Sequence, residues 1–592
     1  MVRSICFAVL VLTLPHSAQA FCGFFVSGAD AELVNDATQV ALMRKGNRTV
    51  LSMSNTYQGP PENFAMVVPV PVVLQKEQVK TLNRNVFKAL DQISAPRLVE
   101  YWERDPCEIA KGPLGLIGSM AFGSGAVSAN FSAGGGGLDL GVKVEAKFSA
   151  GEYEVVILSA KQANGLEAWL RHHNYNIPEG AAAALAPYVR EGMKFFVAKV
   201  NIEKVIRDAR GVVVLSPLRF DYESPTLRLP VRLGLLNAKG KQDLVIYVIH
   251  PTSRFEVANY ENVFIPSNLE VENEVRERFG DFYAALFDTT LSKAKRPAVV
   301  TEYAWQTTSC DPCPRPPLTP EDLAALGGDL LNPRPFLLAL AGVEGTPNTS
   351  SKGVKRVIQR AQGAVNRCHQ RNFRADAMTE KGAKNTLKLS IAVAGSGQVN
   401  EVKVLASRGV SGLDCIKGRI KQFKFPPTAD NEPATLEVKW VPSKTRSGPN
   451  FSQWVLTRLH TRYDDKTLSE DLVFVEGSPV RGGRGAGGIN QETPGAVESS
   501  PVNQFQGRYI IRHYWEKEVT CESPQWGRWG GNPKGNGAKP KAIAGERVIG
   551  RSDTAIDMSK SVRSALPLLG FEGKSRPPQR HSPQSTRPKQ QK

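Results

Sequence analysis

Cys310 and Cys313 stand two residues apart in TSCDPCPRPP, residues 308–317. A CxxC pair has three chemistries open to it: thiol–disulfide exchange, half of a zinc site, or a structural disulfide. An exchange catalyst places its first cysteine at a helix N-terminus, where the dipole lowers the thiol pKa. Pro312, Pro314, Pro316 and Pro317 deny this stretch a helix, and the next helix start is at Thr319-Pro320-Glu321-Asp322, with Thr319 as N-cap. A zinc site needs a second pair or histidines at ligand spacing, whereas Cys22, Cys107 and Cys521 are isolated. The favoured reading is a structural disulfide, either within the CxxC or to a distant cysteine.

The remaining chemistry-bearing residues are sparse. Cys368 and Cys415 fall on two helices of one small segment, and a bond there would staple them, contributing roughly 3 to 4 kcal/mol by loop entropy. Once Cys6 is removed with the leader described below, Cys22, Cys107, Cys310, Cys313 and Cys521 are left, an odd number whose connectivity stays open. His172, His173, His250, His369, His460 and His513 carry no G-x-S-x-G, H-E-x-x-H or Walker A context, so no catalytic, cofactor-binding or metal-binding residue is assigned. An enzyme, either a hydrolase or a thiol oxidoreductase, would have to assemble its site across distant segments, for example His250 with a cysteine and a carboxylate.

The elements that must position these residues begin with a leader. MVRSICFAVLVLTLPHSAQA has Arg3, an apolar run from Ile5 to Leu14 and Ala18-Gln19-Ala20, the layout of a secretory signal peptide cleaved after Ala20. No later run is long enough to span a bilayer, so the mature chain is expected in the periplasm or outside the cell, where disulfides form. The net charge of +18 is uneven. Residues 352–428 hold 16 Lys/Arg against 4 Asp/Glu, and the tail 574–592 holds six Lys/Arg and no acid. For an exported chain, the expected partner of such patches is an envelope protein or an anionic cell-wall or outer-membrane component, not nucleic acid.

Along the 592 residues, the reading is a multidomain α+β protein with a β-rich host domain. A first host block covers 21–112, with a hairpin around Lys45-Gly46-Asn47, a strand over 64–74 and a helix over 80–94. A Gly/Ser-rich linker follows over 113–148. The second block, 149–340, predicts a strand and then a helix opened by a capping box of Ser159 and Gln162, followed by successive strands, of which TLRLPVRLGLL and QDLVIYVIHP form a hairpin about NAKGK. Residues 352–441 read as helix, hairpin, helix and strand, with a hairpin turn at Gly395-Ser396-Gly397 and a first helix exposing Lys355, Arg356, Arg360, Arg367 and Arg371. A host return segment covers 450–525, and 526–592 is expected to be mostly disordered, with SKSVRSALPLLGF read as a short helix packing back.

Several stretches together carry a resemblance: FCGFFVSGADAELVNDATQVALMR, GPPENFAMVVPVPV, LVEYWERDPC, YEVVILSAKQANGLEAWLRHHNYNIPEG, HPTSRFEVANYENVFIPSNLEV and TSCDPCP. They resemble the bacterial domain-of-unknown-function family DUF2330, exported proteins of myxobacterial type, over roughly 21–340 and again over 450–525. The resemblance implies export and no particular activity. The intervening 352–441, with G-x-V in its hairpin, F-P after its second helix and a cysteine in each helix, resembles the C-terminal domain of TonB-like proteins, in its AgmX/PglI tail form. No transmembrane anchor accompanies it. The functional expectation is an envelope-associated interaction or scaffold protein without catalysis. In it the basic module meets a protein through its hairpin edge, or an anionic polymer through its helix face.

Overall fold

The computed structural model describes residues 24–26, 34–58, 65–107, 141–173, 175, 177, 180–207, 213–237, 241–331, 338–345, 352–371, 386–408, 410–428, 430–442, 454–464, 466–483, 494–530, 541–542, 556–570 and 572. The fold is α+β and β-rich. It divides into two compact units: unit 1 is Met1–Asp322 with Phe451–Lys592, and unit 2 is Leu323–Asn450.

Unit 1 is organised by an eleven-stranded sheet. Its centre is the strand Val455–Tyr463, antiparallel to Gln242–His250 on one side and to Ala298–Gln306 on the other. The chain therefore leaves for unit 2 and returns to fill the middle of a sheet that the earlier segments leave open. Gln242–His250 also pairs in parallel with Val34–Lys45, which forms a hairpin with Arg48–Gln58. The apolar run LVIYVI within Gln242–His250 is buried throughout, as expected of a strand covered on both faces.

Both faces of this sheet are covered. On one, Val40, Leu42, Leu51 and Met53 share a core with Met66, Val68, Tyr153, Val155, Ile157 and Phe196, which belong to a five-stranded sheet. The helices Ala163–His172 and Ala181–Arg190 close the far side of that second sheet through Leu166, Trp169, Leu170, Leu185 and Tyr188. On the other face of the large sheet, Val300 and Ala304 pack with Phe279, Phe282, Tyr283, Leu286 and Phe287 of the helix Phe279–Lys293. Met558, Val562 and Leu566 join the same core, so this part of the C-terminal region is structured.

Several expectations need correction. Leu229 and Gln242 are not the arms of a hairpin: the first run yields only Arg228–Leu229 before Pro230 ends it, and Arg232–Asn237 turns as a 3-10 helix. Gln242–His250 instead pairs with Val34–Lys45 and Val455–Tyr463. The turn residues 238–240 lie outside the described residues. The Ser159/Gln162 capping box does not form, because Ser159 sits in the strand Tyr153–Ala160 and its hydroxyl donates to Glu145 at 2.7 Å. The helix read over 80–94 starts only at Asn85, since Val79–Thr81 is captured as a strand by Leu218–Phe220. The strand read over 64–74 is shorter, Ala65–Val70. Val142–Ala150, at the end of the expected linker, is a strand, while 113–140 lie outside the described residues, as does the leader over 1–20.

Unit 2 has its own core. The helix Lys352–Arg371 and the helix Leu413–Ile420 pack on a four-stranded sheet ordered Leu338–Gly345, Ala434–Pro442, Thr386–Val393, Val399–Arg408. Val354, Ile358, Val365 and Cys368 form the buried stripe of the long helix against Leu389, Ile391, Val438 and Trp440. The strand Leu338–Gly345 was not assigned from sequence, and it occupies one edge of this sheet.

Candidate functional site

The CxxC stretch follows the strand Ala298–Gln306 as an irregular loop, and Cys310 and Cys313 are disulfide-bonded to each other. The loop is held from beneath by two fully buried side chains. Arg97, at the start of the strand Arg97–Glu103, donates from Nη1 to the Pro312 carbonyl at 2.7 Å and from Nη2 to the Ile93 carbonyl at 2.7 Å. Its guanidinium lies over the Tyr303 ring, and burial brings its pKa down to about 10. Gln506 donates to the Asp311 carbonyl and, at 3.0 Å, to the Gly483 carbonyl. Trp305 Nε1 donates to Ser309 Oγ at 3.1 Å. Beyond the prolines, Thr319 and Asp322 cap each other reciprocally at 3.0 and 3.1 Å and start the helix Pro320–Leu323.

Cys107 and Cys521 form a second disulfide in unit 1, across 414 residues. Cys368 and Cys415 form the third, joining the two helices of unit 2. The six described cysteines are therefore all bonded, and Cys22 lies outside the described residues. Among the described residues no group of three or more His, Cys, Asp or Glu is placed to hold a metal ion, and no helix is long and apolar enough to cross a membrane.

Lys355, Arg356, Arg360, Arg367 and Arg371 are all exposed. They lie opposite the stripe Val354, Ile358, Ala361, Val365, which is buried. At 1.5 Å per residue, Arg356 to Arg371 spans about 22 Å of helix. No ion pair joins any of the five to a described carboxylate. The edge strand Val399–Arg408 is different: Lys403 pairs with Glu401 at 3.1 Å, and Leu405 is exposed. A charged pair along an edge discourages strand addition.

His250 does meet a hydroxyl and a carboxylate. Its Nδ1 accepts from the Ser253 amide at 3.1 Å, while Ser253 Oγ donates to Glu476 at 2.5 Å. Glu476 lies 3.9 Å from His250 Nε2. In a nucleophilic relay the serine hydroxyl must donate to the imidazole. Here it donates to the carboxylate, and burial lowers the His250 pKa. The group is a strand-end turn, and no free described thiol is available to it.

One extensive buried polar assembly is not legible in the sequence as a unit. Arg458, His460 and Arg462 alternate along the central strand Val455–Tyr463, so all three point to one face, toward the helices Asn85–Ser94 and Phe279–Lys293. Arg458 donates to Asp91 at 2.6 Å and to Glu302 at 2.5 Å. His460 Nδ1 lies 2.8 Å from Glu302 Oε1, and Nε2 lies 3.1 Å from Asp243 Oδ1. Two ionised carboxylates can only accept, so both ring nitrogens carry protons. Burial pushes this imidazole down, but Glu302 and Asp243 outweigh it and hold the pKa above its ordinary value. Burial likewise pushes Glu302 up, yet His460 and Arg458 bring it down to about 2. Arg462 pairs with Asp243 at 2.9 Å and Asp288 at 2.5 Å, Tyr283 donates to Glu302 at 2.5 Å, and Phe287 stacks on His460. Arg458, His460 and Glu302 have no exposed surface, so no substrate reaches them and the network is structural. The period-2 alternation of R-L-H-T-R was its only sequence signal.

A family model described as an uncharacterized protein conserved in bacteria matches residues 16–475. That span includes all of unit 2 and ends before the strand Arg508–His513. No curated protein and no solved structure matches the chain.

Proposed function

The chain belongs to that family, DUF2330, and from this premise we propose that it is an exported, envelope-associated interaction protein whose unit 2 binds an anionic envelope polymer through the outer face of its long helix. The carrying observation is the set of five exposed cations on Lys352–Arg371 without a described carboxylate opposite them. A single-sign stripe on a rigid helix attracts polyanions and is screened by salt. The resemblance of 352–441 to TonB-like tail modules, and the signal-peptide layout of the first twenty residues, support an envelope location. Unit 1 supplies a stable carrier for the module.

The test uses the mature full-length chain and purified cell-wall sacculi. Binding is expected at about 50 mM salt and is lost at about 500 mM, where the Debye length shrinks to a few ångströms. The triple variant R356E/R360E/R367E is expected to lose binding at low salt while retaining its circular dichroism. Wild-type protein that fails to bind at low salt overturns the proposal, as does a variant that binds unchanged.

A further inference from the structure

Three disulfides are present, and they differ in what they hold together. Cys107–Cys521 closes a loop of 414 residues, and Cys368–Cys415 closes one of 47 between two helices. Cys310–Cys313 closes a separation of 3. Loop-closure entropy rises with the logarithm of the enclosed chain, so this bond constrains the unfolded chain least. It also does little for the folded loop. The two carbonyls between the cysteines, Asp311 and Pro312, are already fixed by Gln506 and Arg97, both fully buried in unit 1. The upstream end is fixed by the Thr307 amide, which donates to the Trp454 carbonyl at 2.8 Å, and by Trp305 on Ser309. Access differs too: Cys313 is exposed, whereas Cys368 is 3% exposed.

We propose that Cys310–Cys313 is a thiol–disulfide exchange site that accepts two electrons from a dithiol without loss of the fold. A thiolate of the dithiol attacks the exposed Cys313 sulfur, the Cys310–Cys313 bond breaks, and Cys310 leaves as a thiolate that takes up a proton. The second thiol of the reductant then attacks the mixed disulfide and releases Cys313. The dithiol ends as a disulfide and the protein as two thiols, with two electrons and two protons transferred. No helix N-terminus is available to stabilise the thiolates. What the Arg97 guanidinium does is donate to the Pro312 carbonyl, next to Cys313 in the chain, and so hold the backbone beside the attacked sulfur.

The experiment poises the native full-length chain against mixtures of reduced and oxidised dithiothreitol, quenches with acid, alkylates with a mass tag and maps the peptides. Cys310 and Cys313 are expected to be tagged together at a reduced-to-oxidised ratio at least tenfold lower than either other pair requires, with the melting curve unshifted. Reduction of all three pairs together, or of this pair only as the protein melts, overturns the proposal. A second arm uses C310S/C313S. It is expected to melt with the wild type and to lose the anaerobic oxidation of one equivalent of dithiothreitol. A variant that melts well below wild type, or that still oxidises that first equivalent, also overturns it.

Discussion

Arg458 Nε donates to Glu302 Oε2 at 2.5 Å, and neither side chain has any exposed surface. The two residues are 156 positions apart, on adjacent strands at the centre of the large sheet, and unit 2 lies between them in the chain. Each charge is costly to bury alone, so the pair makes the return strand Val455–Tyr463 specific for its slot. An apolar strand of the same length could slip by two residues and still bury its side chains. A strand carrying Arg458, His460 and Arg462 cannot, because each slip leaves a charge facing the wrong partner.

Breaking this pair is therefore expected to be severe. Arg458→Met removes the guanidinium that Asp91 and Glu302 share, leaving His460 beside Glu302, and should cost about 3–5 kcal/mol. The double variant R458M/E302Q should cost less than the sum of the two single changes, because it removes both charges. Urea unfolding followed by tryptophan fluorescence measures both quantities. Strict additivity would show that the two side chains do not act as a unit.

The same network sets a pH window. His460 has a folded pKa raised above its ordinary value of 6.5, so its stabilising effect is complete below that value and is lost as pH climbs through the folded pKa. Glu302 is depressed from 4.5 to about 2, so its contribution is complete above 4.5 and is lost as pH falls toward 2. The melting temperature should therefore decline on both sides, and His460→Gln should flatten the alkaline limb and also shift the acidic one, because His460 helps to hold Glu302 down. An alkaline limb unchanged in that variant would assign the loss to other groups.

How far the sequence reached depended on the range of the forces involved. Local signals were readable: the hairpin at Gly46, the buried stripe of Lys352–Arg371 and the N-cap Thr319 all depend on residues a few positions apart. What failed was pairing decided at long range. Gln242–His250 looked like the partner of the run before it, but it pairs with strands about 200 residues away on either side. Likewise Lys80 and Thr81 read as the start of a helix, but Leu218 and Arg219 pair with them as a strand. The disulfide between Cys107 and Cys521 and the Arg97 clamp on the CxxC loop were invisible for the same reason. His460 looked like one of several isolated histidines because its carboxylates come from two other strands.

The bond between Cys368 and Cys415 should be worth far more than the CxxC bond. It ties Lys352–Arg371 to Leu413–Ile420 across 47 residues, and loop entropy for that length gives about 4 kcal/mol. In C368S/C415S, hydrogen exchange of the amides in Leu413–Ile420 should accelerate strongly, while amides of Val455–Tyr463 in unit 1 keep their protection. Equal acceleration in both segments would mean that the two units unfold together.

The turn of the unit 2 hairpin is expected to tolerate no side chain. A Cβ at Gly397 would sit 2.0 Å from the Phe425 carbonyl oxygen, and its φ of +88° already disfavours an L residue. A Cβ at Gly395 would sit 1.8 Å from the Asn431 carbonyl oxygen. Both obstacles are backbone, so the segment after the second helix must move, and the Gly397–Phe425 hydrogen bond of 2.7 Å is lost with it. Gly397→Ala and Gly395→Ala should each destabilise unit 2 by about 1–3 kcal/mol, in the range of strain at special backbone positions. Gly418 provides the contrast. It lies in the helix Leu413–Ile420 with nothing within 4 Å of where a Cβ would stand. There alanine should stabilise by about 0.5–1 kcal/mol through helix propensity. Denaturant melts of the three variants, followed by the unit 2 transition, check the signs, and a stabilised Gly397→Ala would mean that the Phe425 segment yields without cost.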